Sequence, residues 1–590
     1  MTAPQPGMLL QTPDWIIIIC YLALSLGVGL YFARRAGKSV EDFFLTGRRL
    51  SWWLAGTSIA AIAFASDTPI AVTEYVRQYG IAGNWFKWSF SLTGLSAVYL
   101  FSVYWRRSRF LTDVEFVEAR YEGKPAAALR GFMAFFYGVI FNCIEMGWII
   151  SGMSTVVGVT TGLGRWSTII ILLAIATAYT TKSGLWGVVT TDFLQFFVAT
   201  AGSILLAYFA VTGLGGIGAI KEALSQSGQL GKLDMVPTAD SPWMPLPTFL
   251  VYILVLWWST DRADGTGYYI QRILSTRNEK QAFLSGIWFS VLTYSLLPWL
   301  WIIVAVASLV TFPNLTEHYL AYPKMLVEYA PIGIRGLMVA GFFAAFMATT
   351  TSHLNWGASY LVNDLYRRFI RREGSQSHYV FVSKLLTLFL VVAGGVTGYY
   401  MHSIQKAWEL QAAMMAGTGS VFVLRWLWWR VNAWSEISAI SSAVGISIVL
   451  AFTDYSFPVR ILISTVLCTT IWMTATMLTA AVSDEKLIAF YRKVRPGGIL
   501  WRRISAIAGV PDRKNELGRN LAAFGFGTAF TFLSIFGIGE TVFFNFWRGM
   551  LYLAGAAVSA YVVFVLVREA FRQMQEEAPE GAHGGSGGAV

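Results

Sequence analysis

Near the middle of the apolar stretch 52–76 stand Ala65-Ser66-Asp67-Thr68-Pro69, a carboxylate and a proline in a segment long enough to cross a bilayer. An ionisable group at that depth costs about 2.5–3.5 kcal/mol on insertion scales and by default marks an ion or substrate site. Pro69 lacks a backbone donor, which leaves the carbonyl of Ala65, one turn earlier, without its helical partner. Free carbonyls beside a carboxylate suit a small, hard cation. A second polar run, Trp257-Trp258-Ser259-Thr260-Asp261-Arg262-Ala263-Asp264-Gly265-Thr266-Gly267, interrupts another apolar stretch with charges and two glycines. Lys87, Glu145, Asp192 and His353 are further ionisable groups inside apolar runs. No nucleophile–base–orienter set or metal cluster accompanies them, which argues against an enzyme. Cys20, Cys143 and Cys468 lie inside apolar runs at no metal-like spacing and read as small buried residues.

The elements that must hold these groups are membrane helices. Of 590 residues, 55% are hydrophobic and only 13% charged; soluble proteins carry about 25% charged residues. Runs of roughly 20 apolar residues predict about fifteen spans, near 13–33, 52–76, 83–105, 128–157, 166–181, 185–212, 246–262, 281–311, 334–366, 380–401, 406–430, 435–453, 458–482, 519–538 and 544–567. The runs are continuous and lack strict alternation, so they read as helices and not barrel strands. The leader Met1–Pro13 has no basic n-region, so no cleavable signal is expected. With the N-terminus outside and the C-terminus cytoplasmic, most of the 44 Lys and Arg residues fall on the inner side, as the positive-inside rule requires. The net charge of +11 then follows the membrane and calls for no nucleic acid. The segments 213–245 and 311–335 are expected outside, the first with a short helix around 219–225 and the second as a lid. The basic, amphipathic segment 484–518 is expected to lie on anionic lipid through Leu487, Phe490, Tyr491, Ile499, Leu500 and Trp501.

Five spans begin at each interrupted helix, giving a first half over 52–212 and a second over 246–430. A broken helix opening each half is the sequence pointer to an inverted-repeat secondary transporter with its site at the midplane. Irregular backbone at that depth is tolerable only around a cavity. Residues 1–51 then form an extra first helix and inner loop, 431–572 additional helices, and 573–590 a flexible tail.

Several motifs carry a family resemblance. Asp42-Phe43-Phe44-Leu45-Thr46-Gly47-Arg48-Arg49-Leu50 resembles the "FLAGR-L" entry of the sodium:solute symporter family, and Thr112 through Tyr121 is similar to its "T-x-x-EF-x-E-x-RY" segment. Thr190-Thr191-Asp192-Phe193-Leu194-Gln195 matches "TD-x-x-Q", and Tyr269-Ile270-Gln271-Arg272 with Glu279-Lys280-Gln281-Ala282 looks like its "QR…A" stretch. Asn363-Asp364-Leu365-Tyr366 resembles the end of its sodium-site helix. The resemblance covers 40–430 and implies an all-α, leucine-transporter-type five-plus-five core with one extra N-terminal and about four extra C-terminal helices. It implies a sodium site made by the carbonyls of Ala65 and Thr68 with Asp67 alongside, the Ala345 carbonyl and the Thr349 hydroxyl. The family usually carries a second hydroxyl where this chain has Ala348, so the site is expected to be one ligand short. Asp192 resembles an aspartate on the family's inward ion-release route; the alternative is a structural helix-end role.

The solute site is less determined. Lys87 stands where related sugar symporters have a sugar-contacting glutamate, and Tyr294 replaces a lysine of one sugar-transporting relative. Lys87 or Arg262 could bind an anionic or zwitterionic solute, or could be paired internally with Asp261, Asp264 or Glu145. Trp257, Trp258 and Trp408 are candidate pocket walls. His353, four residues after Thr349, is either packed and hydrogen-bonded or a proton-coupling group. The reading is a sodium-coupled symporter in the inner membrane of a bacterium, importing a small polar solute (sugar, amino acid or carboxylate) by alternating access. A proton-coupled carrier and an uncoupled ion channel are the alternatives; a sensor built on the fold would need an appended signalling domain.

Overall fold

The computed structural model describes residues 10–33, 44–401, 403–510 and 516–576. The described residues form helices and loops, with one isolated parallel bridge between Leu50 and Thr276. The bridge carries Leu50 N–H to the Ser275 carbonyl (3.0 Å) and Arg277 N–H to the Leu50 carbonyl (3.2 Å). It thereby ties the entry of the first interrupted helix to the exit of the second. Among the described residues nine helices are long and apolar enough to cross a membrane, and the Trp52–Phe64 and Thr68–Tyr79 pair, bent by 54°, makes a tenth if it is one span.

The first interruption lies at 65–67, where Ala65 takes φ 34° and ψ 156°. Pro69 is not its cause. It stands in the first turn of Thr68–Tyr79, where a missing N–H costs nothing and the fixed φ favours a helix start. The second interruption parts a helical stretch ending at Ser259 from the helix Tyr268–Leu274, with Arg262, Gly265 and Gly267 all at positive φ.

Two expected features are corrected. The segments 166–181 and 185–212 are not separated by a loop: the backbone is helical from Arg165 to Gly213. Its two ends have different neighbours, Trp166 stacking on Tyr399 and Gly202 lying against Met338. The expected span 406–430 is itself broken, into Ile404–Met414 and Thr418–Leu427. Gly417 between them has φ 95° and donates its N–H to the Ser259 carbonyl (2.6 Å), so this third interruption rests on the second. Neither is legible in the hydropathy of the segments, which cannot place a break or a continuation that tertiary contacts hold.

The basic segment after residue 483 does not lie on lipid through its whole apolar face. Leu487, Phe490, Tyr491 and Trp501 are buried within the protein core, and only Ile499 and Leu500 remain exposed. Arg120 stands over the rings of Phe490 and Trp501, and Lys493 over Phe110. The periodicity was amphipathic as read; the surface receiving it is protein. The helix Ile217–Gln226 matches the short helix expected near 219–225. In the 311–335 segment the helix Ala321–Tyr329 is packed inward, and Arg77 fastens the segment through the Ser308 and Phe312 carbonyls (2.5 and 2.7 Å). The last helix, Phe546–Glu576, reaches into the expected tail, whose remainder, like 34–43 and the leader's first nine residues, lies outside the described residues.

Candidate functional site

A helix that stops leaves its last four carbonyls without intrahelical donors. In Trp52–Phe64 these belong to Ala61, Ile62, Ala63 and Phe64. Thr349, on the buried helix Ile334–Tyr360, meets one of them: its hydroxyl lies 3.0 Å from the Ile62 carbonyl and 2.9 Å from the Ala345 carbonyl. Thr349 and Ala345 thus meet the first interruption as expected, but through Ile62. Thr68 heads the next helix, where carbonyls are engaged by the turn that follows; its hydroxyl reaches back to the Ala63 carbonyl at 3.3 Å. The missed residue, Ile62, was findable by placing the stop before Asp67 and counting the orphaned carbonyls from there. Asp67 is buried and its Oδ1 has no hydrogen-bond partner. Gly152 allows this arrangement, since a Cβ there would lie 2.8 Å from the Asp67 Cα. Ala348 is buried and carries no hydroxyl.

Ile62, Ala65, Asp67, Thr68 and Thr349 line a cavity of about 270 Å³ that also takes in segments 86–97, 145–149, 260–269, 289–294 and 408–412. Lys87, Glu145, Asp261, Arg262, Tyr294, His353 and Trp408, all singled out above, share it. Lys87 Nζ stands 5.7 and 5.4 Å from the ring centroids of Trp301 and Trp408. Arg262 is internally paired, to Glu145 at 2.8 Å and Asp261 at 3.5 Å. His353 Nδ1 lies 3.0 Å from Asn142 Oδ1 and 3.3 Å from Glu145 Oε2, which makes it a hydrogen-bonded wall residue.

Five expected residues are not among those lining the cavity: Ala345, whose carbonyl meets Thr349 behind it, and Asp192, Trp257, Trp258 and Asp264. Asp264 is sealed in a separate buried cluster, accepting from Arg425 (2.6 Å), Trp426 (2.8 Å) and the Thr266 hydroxyl (2.6 Å). Trp257 packs on Phe524, and Trp258 Nε1 donates to its own helix at the Leu254 carbonyl (2.7 Å). Polar and aromatic composition at a break does not say which way each side chain points. Asp192 accepts from Ser58 at 2.5 Å, and its carboxylate lies 3.7 Å from Arg272. Among the described residues no group of three or more His, Cys, Asp or Glu gathers as a metal site; what meets at the first interruption is carbonyl, hydroxyl and a single carboxylate.

The profile of the sodium:solute symporter family matches residues 43–440. The chain belongs to that family. It is 28% identical over 478 residues to a sodium/mannose cotransporter of Bos taurus, covering 73% of this chain and 77% of that one. A sodium/glucose cotransporter of Vibrio parahaemolyticus is 24% identical over 501 residues, covering 80% and 91%. The solved outward-open, substrate-bound state of a sodium-coupled sialic acid symporter superposes with a TM-score of 0.68 at 20% identity, covering 80% of this chain and 99% of that one. The fold is therefore the all-helical, leucine-transporter-type architecture that the motifs implied, and the chain is a multi-pass, sodium-coupled symporter.

Within the family frame, the motif residues outside the cavity have structural work. Thr112 donates to Asp364 (2.7 Å), Arg130 grips Asp364 (2.5 Å) and Glu118 (2.7 Å), and Asn363 donates to Glu115 (2.8 Å). Tyr121 donates to Glu436 (2.5 Å), which also accepts from Arg425 (3.3 Å). These contacts lock the 112–121 segment to the end of the Thr349 helix and to the helix Ala433–Ala451.

Proposed function

We propose that this chain imports a small polar organic solute with sodium across the inner membrane of a bacterium, N-terminus outside and C-terminus inside, by alternating access. The observation that carries this is the meeting of the Thr349 hydroxyl with an orphaned carbonyl, Ile62, beside buried Asp67 on the wall of one cavity. Sodium held there by Ile62, Ala65, Ala345, Thr349 and Asp67 would bind the first interrupted helix to the helix Ile334–Tyr360. That favours the state in which the two are closest, and a ligand shifts such an equilibrium only by its differential affinity for the states. The solute occupies the adjoining cavity, between Lys87 and Trp408 on one side and the Glu145–Arg262 pair on the other. Segments 52–212 and 246–430 serve as the two repeats, and Asp192, joined through Ser58 to the first helix, marks the inward route of the ion.

The energetics are sufficient. One sodium moving down about 100 mV supplies ~2.3 kcal/mol. A tenfold gradient adds ~1.4 kcal/mol, so one ion sustains a solute gradient of roughly 500-fold. The test is uptake into proteoliposomes, with solutes chosen from a thermal-shift screen of sugars, amino acids and carboxylates with and without sodium. Saturable accumulation that collapses when sodium is equilibrated is expected. Accumulation driven by a pH gradient without sodium, or uncoupled current, would sink the reading.

A further inference from the structure

Charge is unevenly settled inside the cavity. Arg262 is neutralised by Glu145 and Asp261, and Glu145 accepts in addition from Gln411 (3.0 Å). Lys87 Nζ, by contrast, donates to no protein acceptor among the described residues and rests only over the faces of Trp301 and Trp408. Asp67 Oδ1 is equally without a donor, and the two groups of opposite charge line the same cavity. Two indole faces do not replace the hydration that an ammonium gives up, so Lys87 depends on the field of Asp67.

A sodium ion bound at the interruption takes over that carboxylate. The ammonium is then left without a counter-charge of its own in the cavity. We propose that Lys87 is the solute-recognition cation, that the solute is a carboxylate-bearing small molecule, and that sodium at Asp67 releases Lys87 to bind it. This rests on the sodium-symport reading above and adds the substrate class and the coupling device. Without sodium, the charges of Lys87 and Asp67 offset each other in one cavity and the site repels neither ion nor solute strongly; with sodium, it attracts an anion. By linkage the carboxylate must tighten sodium by the same factor that sodium tightens the carboxylate.

The test uses the full-length purified chain in nanodiscs and follows its unfolding temperature during sodium titration against choline at constant ionic strength. The probes are glucuronate and lactate, with glucose and mannose as neutral counterparts. A carboxylate probe is expected to stabilise the protein in sodium and not in choline, and to lower the half-saturating sodium about tenfold, within the usual span of coupling factors. Lys87→Gln should abolish the carboxylate response while binding sodium alone about tenfold more tightly; Lys87→Arg should keep the response. Equal responses to glucose and glucuronate, no response to either carboxylate, or unchanged sodium affinity in Lys87→Gln would each overturn the proposal. Should Lys87→Gln fail to fold, the wild-type reciprocity between sodium and carboxylate decides it alone. Absence of any sodium response in the wild type is a different outcome: it removes the sodium site itself.

Discussion

At the first interruption of the core helices, Ile62 and Ala63 of the last turn line a cavity, their carbonyls met by the hydroxyls of Thr349 and Thr68, and Asp67 Oδ1 meets no donor. At the second, Asp261 and Arg262 face the same cavity and Asp261 Oδ2 has no hydrogen-bond donor, but the polar groups around them are taken up by the frame. The Ala263 carbonyl accepts from Ser96 (2.6 Å), the Asp264 carbonyl from Trp105 (2.8 Å), and Gly267 N–H donates to Asp113 (2.8 Å). The Ser259 carbonyl accepts from Gly417, and Asp264 is closed by Arg425 and Trp426. Gly419 packs so tightly on the Thr260 and Trp258 carbonyls that no Cβ could fit there. An unsatisfied buried polar group is costly, and its persistence points to a ligand; a satisfied one points to scaffold. Two breaks that look equivalent in sequence thus divide the labour: the first offers ion ligands, while the second gives the cavity the Asp261–Arg262 wall and spends its remaining polar groups, from Ala263 to Gly267, mostly on the frame.

The comparison is broken most forcefully at Asp264. Asp264→Ala leaves Arg425 buried with only Glu436 in partial compensation, and stranding a buried charge costs about 3–5 kcal/mol. The variant should unfold at markedly lower temperature or fail to accumulate in the membrane, as measured by thermal unfolding in detergent. If instead it stays stable and changes only solute affinity, the second interruption is a binding site after all.

The counterpart at the first interruption is Asp67→Ala. Lys87, the cation that shares the cavity with Asp67, makes no hydrogen bond to it and keeps the faces of Trp301 and Trp408, so the loss in folding should be smaller than for Asp264→Ala, while half-maximal transport requires about tenfold more sodium, equivalent to ~1.4 kcal/mol. Sodium-dependent uptake checks this, and an unchanged sodium dependence would remove Asp67 from the ion site. A smaller shift, about threefold to fivefold or roughly 1 kcal/mol, is expected from Thr349→Val. That change keeps shape and deletes the hydroxyl between Ile62 and Ala345. If Thr349→Val proves neutral, the hydroxyl is only back-bonded to its own helix.

The contrast between the breaks also explains what could be read in advance. Charges and glycines at membrane depth located both interruptions, and the sodium-site helix around Thr349 came from a motif with a fixed register. The carbonyl opposite Thr349 is not the one a proline rule points to, because that rule marks only the bond Pro69 itself cannot make. In fact Pro69 begins a helix, and the chain had already left helical geometry at Ala65. Trp257, Trp258 and Asp264 were assigned to the cavity for the same kind of reason: one residue's step along an irregular segment reverses its facing, and no periodicity survives there to fix it. The charged residues of the 112–121 motif served only as marks of the family, because their partners, Asp364, Arg368 and Glu436, lie hundreds of residues away or on helices with no motif.

That charged lock supplies the mildest test, since it is scaffold placed partly in water. Burial raises the carboxyl of Glu118, but hydrogen bonds from Arg368 and Arg130 outweigh it and hold the group below its ordinary value of 4.5. A carboxyl lowered in the folded state adds stability that is present above its unfolded value and is lost as pH falls through the lowered one. Between pH 7 and 5 the lock should therefore be indifferent to acid, and below about 4.5 it should loosen. The loss is under about 1 kcal/mol because the pair is partly solvated. Glu118→Gln should show that small deficit already at pH 7 and a flatter acid limb in thermal unfolding, with sodium affinity unchanged. A sodium affinity that moved with Glu118 would mean that the lock and the first interruption are coupled, and that the division of labour between frame and ligand extends across the whole core.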